Sequence, residues 1–386
     1  LLSDGDWVQS KDQDPRGEVR LLQLADVGVG RFLDKSARFL TREKARELRC
    51  TVLEAGDLMI ARMPAPIGRT CIFPGSERPC VTVVDVCILR PDRDRVEPRW
   101  LLHYLNSPGA RTRIAPFTSG TTRKRISKRK LARLEFPLPT LVEQRRIAAI
   151  LDRAEALVRK QRAAIDLGER LLRSTFLERF GDPATNPRRW QIEPLGALAS
   201  FVGGGTPRRS VPAHYRGDIC WATAKDMKGS VLGDTQEHIT EAAVSASATK
   251  LVPAGTLLVV VKSKVLAKRL PVLIAAVPTC FGQDLKGIVT GPAIDAVYLQ
   301  HHMRIGQRAL LTRARGVNTE GLTLDHLRGY EVMIPPREQM ARFVDFAKHT
   351  TTLLEKQQRA VNEAVALFAS LVHGAFPLAL SPPADA

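Results

Sequence analysis

The feature that most constrains this chain is that its second half repeats its first. Leu22-Gln-Leu-Ala-Asp26-Val27 recurs as Ala222-Thr-Ala-Lys-Asp226-Met227, and Ala55-Gly56-Asp-Leu-Met-Ile60 as Ala254-Gly255-Thr-Leu-Leu-Val259. The stretch around Asp85 has a counterpart around Asp284. Trp100-Leu-Leu-His-Tyr-Leu105 returns as Tyr298-Leu-Gln-His-His-Met303, and Gly120 returns as Gly316. Ile126 and Leu131 match Leu322 and Leu327, Leu138-Pro139 matches Ile334-Pro335, and Glu143-Gln144 matches Glu338-Gln339. The matches keep their order while the offset drifts from 200 to 195, as small deletions would produce. A fold for one half must therefore serve the other.

Each half has two parts. The first holds short apolar runs punctuated by Gly and Pro, such as Leu58–Ala61, Val81–Leu89, Thr256–Val261 and Val272–Val277, which read as strands. Short helices are expected at Pro98–Asn106 and Asp295–Arg304. The second part is one long helix. From Thr140 to about Phe180, apolar residues at Ile147, Ile150, Leu151, Ala154, Leu157, Val158, Ile165, Leu171, Leu172 and Phe176 keep a spacing of three and four. From Arg337 to about Phe376, residues from Met340, Phe343, Val344 and Ala347 through Leu353, Leu354, Val361, Val365, Phe368, Leu371 and Val372 do the same. Thr140-x-x-Glu143 is a capping box that starts the first helix, and Gly181-Asp-Pro183 stops it. At about 40 residues each helix is about 60 Å long. An apolar seam on so long a helix needs cover, and the other helix supplies it as a coiled-coil partner. The chain returns through a whole globular region between them, so the pairing is antiparallel. The expected fold class is α+β: two globular mixed α/β heads separated by two long helices pairing as an antiparallel coiled coil, with a pseudo-two-fold internal repeat.

Charge narrows the function. Of 386 residues, 58 are Lys or Arg and 40 Asp or Glu, giving +18. Nucleic acid is the first partner this implies, then an anionic membrane surface. Aromatics at 5% argue against single-strand binding by base stacking. The longest apolar runs, Gly255–Val261 and Leu270–Val277, are of strand length, far short of the roughly 18 residues of a membrane span. The start, LLSDGDWVQS, lacks the basic-then-apolar order of a signal peptide. Cys50, Cys71, Cys80, Cys87, Cys220 and Cys280 form no C-x-x-C, so neither a zinc ribbon nor a redox pair is signalled. They read as reduced core thiols of a cytoplasmic protein.

Catalytic patterns are missing. There is no phosphate-loop or dinucleotide fingerprint, no H-E-x-x-H and no G-x-S-x-G. Ile334-Pro335-Pro336-Arg337 is not the Asn/Asp-Pro-Pro-aromatic loop of an amino-methyltransferase. The adjacent pair His301-His302 points to two faces of one short helix, which suits no metal. The basic clusters say more. Thr118-Ser-Gly-Thr-Thr122 runs into Arg123, Lys124 and Arg125, then Lys128, Arg129, Lys130 and Arg133. Backbone donors, hydroxyls and cations in one place suit phosphate. Arg313, Arg315 and Asn318 flank Gly316 at the equivalent place in the second half. Lys262, Lys264, Lys268 and Arg269 form a further cluster. A lone charge run is usually a solvated face, but two related ones favour DNA or RNA contact. Gly203-Gly-Gly-Thr206-Pro-Arg208-Arg209 reads as a tight turn or as a phosphate cradle through Thr206 and Arg208. Asp26 and Asp226 read as turn caps, or as acceptors for a cytosine amino group.

These residues resemble the specificity subunit of type I restriction–modification enzymes. The resemblance rests on Phe136-Pro-Leu-Pro-Thr-Leu-Val-Glu-Gln-Arg-Arg-Ile-Ala-Ala-Ile-Leu-Asp152, Gly181-Asp-Pro183, Trp190-Gln-Ile-Glu-Pro-Leu-Gly196 and Gly204-Gly-Thr-Pro207, with Ile334-Pro-Pro-Arg-Glu-Gln-Met340 as the second copy of the first stretch. It covers essentially the whole chain. It implies target-recognition domains at 1–139 and 183–336, spacer helices at 140–182 and 337–376, and a tail at 377–386. The first half lacks a counterpart to Trp190–Pro207 and the chain starts at Leu1, so the first recognition domain is expected to be N-terminally short. Each domain would read one half of a split asymmetric duplex, with the helices setting the gap. The resemblance also implies two methylation subunits docked on the helices, for which Glu143, Gln144, Ile147, Leu151, Glu338, Gln339 and Phe343 are the candidates. Motor–nuclease restriction subunits would join them. S-adenosylmethionine, ATP and Mg belong on those partners, and this chain would hold no cofactor and no active site. The alternatives are a related recognition subunit of another phage-defence assembly, a complete modification enzyme, or a coiled-coil scaffold.

Overall fold

The computed structural model describes residues 1–314 and 321–376. The chain divides into two compact units. One holds Leu1–Gln161 with the stretch from Ala360 onward, and the other holds Arg162–Arg359.

In the first unit, four strands lie in the order Leu2–Asp4, Val86–Leu89, Leu58–Ala61, Thr70–Ile72, all antiparallel. A smaller sheet orders Phe39–Leu40, Val19–Leu22 and Cys80–Thr82, antiparallel on one side of Val19–Leu22 and parallel on the other. The second unit repeats both. Ala199–Gly203, Leu285–Thr290, Leu257–Val260 and Val272–Ala275 take the same order and sense, with Val231–Leu232 added in parallel at the far edge. His238–Ile239, Ile219–Ala222 and Thr279–Phe281 copy the smaller sheet. The register repeats too: Leu58 opposes Leu89 as Leu257 opposes Ile288. The central strand is apolar throughout because both its faces are buried. Leu58 and Ile60 join the core under Trp100, while Met59 and Ala61 join a second core with Phe73 and Ile88. Leu257 and Val259 split from Leu258 and Val260 in the same way. That is the period-two alternation of a strand.

The register also corrects the expected gap in the first half. Leu2 opposes Leu89 as Phe201 opposes Ile288, so the first unit does have a counterpart to Ala199–Gly203. Within Trp190–Pro207, the elements with no counterpart among the described residues of the first unit are strand Gln191–Pro194, which pairs with Glu331–Ile334, and helix Leu195–Leu198. Two pairs of glycines hold the sheets together. A Cβ on Gly5 would overlap the Val83 carbonyl oxygen, and one on Gly204 would overlap that of Gly282. Gly17 meets the Leu40 carbonyl as Gly217 meets that of Ile239.

The long helices run over Leu141–Phe180 and Arg337–Ala375. In the first unit, Ala148 and Leu151 share a core with Val372 and Phe376, whose ring lies 5.9 Å from Trp100. In the second, Phe176 and Phe180 lie 5.4 and 5.5 Å from Phe343. Early residues of one helix thus meet late residues of the other, and the pairing is antiparallel in each unit. Gly168 lets the backbone close onto Leu354. The seam is narrower than its sequence suggests, since Ile150, Leu157, Leu171, Leu353 and Val365 face outward. The repeat also shifts by one residue here. Gln144 bonds the backbone N–H of Glu97, at the start of helix Pro98–Asn106, and Met340 sulfur meets that of Asp295, at the start of Ala296–Ile305. Gln144 therefore corresponds to Met340, and the match to Gln339 is off by one.

All six cysteines are free, and only Cys50 is less than buried. Burial pushes the Cys71 and Cys87 thiols up to about 12. Among the described residues no helix is long and apolar enough to cross a membrane.

Candidate nucleic-acid interface

In the first unit, Ser119 and Arg125 exchange two backbone hydrogen bonds of 2.9 Å and close a loop between them. Gly120 supports the closure at φ +103°, in the left-handed region that favours glycine. Ile126 is fully buried, and its N–H donates to the Arg62 carbonyl just beyond the central strand, at 3.2 Å. The loop is thus hung from the sheet with Arg123, Lys124 and Arg125 exposed. None of the three has an ion-pair partner among the described residues. Ser127 caps the following turn by accepting from the Lys130 N–H. Lys128 lies 3.7 Å from Asp4, and Arg129 is exposed.

The second unit repeats the anchor. The Leu322 N–H donates to the Val261 carbonyl at 2.7 Å, and Gly321 bridges to Lys262. Arg313 is exposed at the end of helix Gln307–Arg313. Arg315 and Asn318 lie outside the described residues. Lys262, Lys264, Lys268 and Arg269 are all exposed on the loop that leaves the central strand. The same loop in the first unit carries Arg62 and Arg69, and both turn inward. Arg62 bonds Asp4 at 3.1 Å and the Val84 carbonyl at 2.7 Å. Arg69 bonds the carbonyls of Val27, Pro64 and Leu24. The two heads share a frame but display their cations on different loops.

Thr206 and Arg208 are exposed, but the preceding glycines are neither a tight turn nor a free cradle. Gly204 and Gly205 pack against backbone, and the Gly205 N–H is used by the Phe281 carbonyl at 2.9 Å. Arg209 is held by both oxygens of Glu237 at 2.7 and 2.8 Å, over the rings of Tyr215 and Trp221. Asp26 and Asp226 are turn caps. Asp26 accepts from the backbone N–H groups of Gln23, Lys35 and Ser36 and from the Ser36 hydroxyl. Burial opposes its ionisation, but these bonds outweigh burial and hold the carboxyl below its usual range. Asp226 accepts from Thr223 and the Gln236 N–H. His301 and His302 are core residues. Burial depresses them to about 4 and about 3, and His302 bridges the Tyr330 hydroxyl and the Met333 N–H.

Of the helix candidates for docking, Gln144, Leu151 and Phe343 are turned into this chain's own core and offer no outer surface. The Gln144 amide is consumed by Glu97, Arg95 and Pro139. Ile147 is half-buried, Glu143 bonds Arg146, and Glu338 and Gln339 are exposed. Among the described residues, two side-chain sets have metal-ligand chemistry. In His103, Asp152 and Glu155, the Arg99 guanidinium already fills the place of a cation, bonding Asp152 through Nε at 3.0 Å. The other is Cys220, Asp234 and His238, which sequence spacing did not reveal.

Residues 32–166 match the family described as the type I restriction modification DNA specificity domain. The chain is similar in sequence to specificity subunits of type I restriction–modification enzymes and shares the fold of one whose structure is solved. It is 26% identical over 68% of its length to the type I restriction enzyme EcoR124I/EcoR124II specificity subunit of Escherichia coli, matching 65% of that protein. It is 25% identical over 47% of its length to the MjaIX specificity subunit of Methanocaldococcus jannaschii, matching 43% of that protein. The chain thus spans just under two thirds of the first relative and less than half of the second. The crystal structure of the type I restriction-modification system S subunit from M. genitalium shares the fold, with a TM-score of 0.64 and 15% identity over 98% of this chain and 93% of that one.

Proposed function

We propose that this chain is the non-catalytic DNA-recognition subunit of a type I restriction–modification complex. One observation carries the reading: two heads of matched topology repeat one backbone anchor at the same strand end, Ile126 to Arg62 and Leu322 to Val261, and each shows exposed cations near it, Arg123, Lys124 and Arg125 in the first and Lys262 and Arg313 in the second. Free cations on such loops neutralise phosphates, and neighbouring side chains reach base edges in the major groove. Each recognition domain reads one half of a split asymmetric target. Their cations sit on different loops, so the half-sites differ. The spacer helices, about 60 Å long, set a gap of between one and two duplex turns of about 34 Å.

Methylation subunits dock on the outer faces of the helices. Support comes from apolar side chains left exposed there: Val142, Leu157 and Leu367 in the first unit, and Leu167, Leu171 and Leu353 in the second. Those subunits carry S-adenosylmethionine, and motor–nuclease subunits carry ATP and Mg. The complex works in the cytoplasm. The test is binding of duplex DNA by the chain with its methylation subunits. Specific, salt-dependent retention of a split-site duplex is expected. Equal binding to every duplex would contradict recognition.

A further inference from the structure

The duplication provides an internal comparison at one position of the smaller sheet. In the first unit, Arg20 on the central strand places its guanidinium 2.6 Å from the Asp34 carboxylate. In the second, the strand pairing puts Cys220 where Arg20 stands, opposite His238. Asp234 stands where Asp34 does. A permanent cation facing a carboxylate has been replaced by a thiol and an imidazole facing the same carboxylate.

The three side chains converge. His238 Nε2 lies 2.7 Å from Asp234 Oδ1, and Cys220 Sγ lies 3.6 Å from the same oxygen. The donor atoms of all three lie within 4.8 Å of one another. The carboxylate is held in place, because the Thr235 N–H donates to Oδ1 at 2.8 Å. The Thr235 hydroxyl is itself fixed between the Trp221 N–H and the Glu237 carbonyl. Cys220 is buried at the base, while Asp234 is open to solvent. That leaves the cluster open to solvent on the Asp234 side.

We propose that Cys220, Asp234 and His238 bind a divalent ion of the zinc class. One thiolate, one imidazole and one carboxylate match the N/S/O ligands of zinc, with water completing a tetrahedron. The Cys220 thiol gives up its proton to solvent on binding, and the neutral His238 ring binds through Nε2. The ion restores the positive charge that Arg20 supplies in the first unit and ties strand Ile219–Ala222 to the turn carrying Asp234.

The test uses the full chain, reduced and stripped with chelator, then titrated with cobalt and afterwards with zinc. One equivalent of cobalt should give a thiolate-to-metal charge-transfer band, and zinc should displace it. Cys220→Ser should abolish the band. His238→Gln and the surface variant Asp234→Asn should each weaken zinc by more than about tenfold. Cys50→Ser, at the partly exposed thiol outside the cluster, should leave binding intact. Saturating zinc should raise the thermal midpoint of the wild type but not of Asp234→Asn. Overturning results would be no stoichiometric metal in the wild type, or a band that survives in Cys220→Ser. A plain His238–Asp234 ion pair would give the first of these. DNA binding is not the readout, so failure here leaves the recognition role untouched.

Discussion

Removing the three free cations of the first basic loop gives a quantitative test of the proposed contact with DNA. Arg123, Lys124 and Arg125 are exposed on the loop that Ser119 and Arg125 close and have no ion-pair partner among the described residues. Each phosphate neutralised adds about 0.9 to the slope of log affinity against log salt. If all three contact phosphates, the triple alanine variant should lose about 2.7 from that slope. Between about 50 and 200 mM salt, wild-type affinity should then fall about 40-fold more than that of the variant. The assay is fluorescence anisotropy on a duplex, at several salt concentrations, with the assembled complex. Arg209→Ala is the control, because Glu237 already holds that guanidinium and the slope should not move. An unchanged slope in the triple variant, with the fold intact, would refute the placing of this loop on DNA.

Other perturbations test the frame and the second head. Lys262→Ala with Lys264→Ala should lower the same slope by about 1.8; no change would mean that this loop is only surface. Gly204→Ala puts a Cβ into the Gly282 carbonyl and should cost about 3 kcal/mol in denaturant unfolding. Gln144→Ala leaves three partly buried backbone groups without their side-chain partner and should cost about 2 kcal/mol, whereas Gln144→Met, borrowing the residue of the second repeat, should cost less. Buried His302 sits at about 3, below its unfolded value, so the unfolded chain binds the proton first. Stability from this group is complete above pH 6.5 and declines as pH falls toward 3. By NMR the His302 ring should stay neutral at pH 5, and an imidazolium there would contradict its buried, hydrogen-bonded setting.

The duplication was legible because core positions repeat chemistry at a slowly drifting offset. Asp26 and Asp226 stood out for that reason, and each caps a turn. The helices were legible from their spacing and the Thr140 cap. The match at Glu143-Gln144 misled by one residue, because a Met at 340 does the work of a Gln at 144 and identity pointed to the neighbour. The seam was over-read because three- and four-residue spacing does not say which apolar residues face outward, as Leu157 and Leu353 do. Gly5 and Gly204 revealed nothing in sequence, since their role is contact with backbone nearly 80 residues away. Charge counting could not separate Arg123, which is free, from Arg62 or Arg209, which are consumed internally. Cys220, Asp234 and His238 were invisible because only strand pairing brings them together.

On the proposed function, two different heads read two halves of one target. The most direct test is co-expression with a cognate methylation subunit, followed by single-molecule mapping of methylated bases in host DNA. A split asymmetric motif with methyl-adenine in both halves is expected. A palindrome or a single half-motif would contradict two independent readers, and no methylation by an intact complex would contradict the recognition role itself.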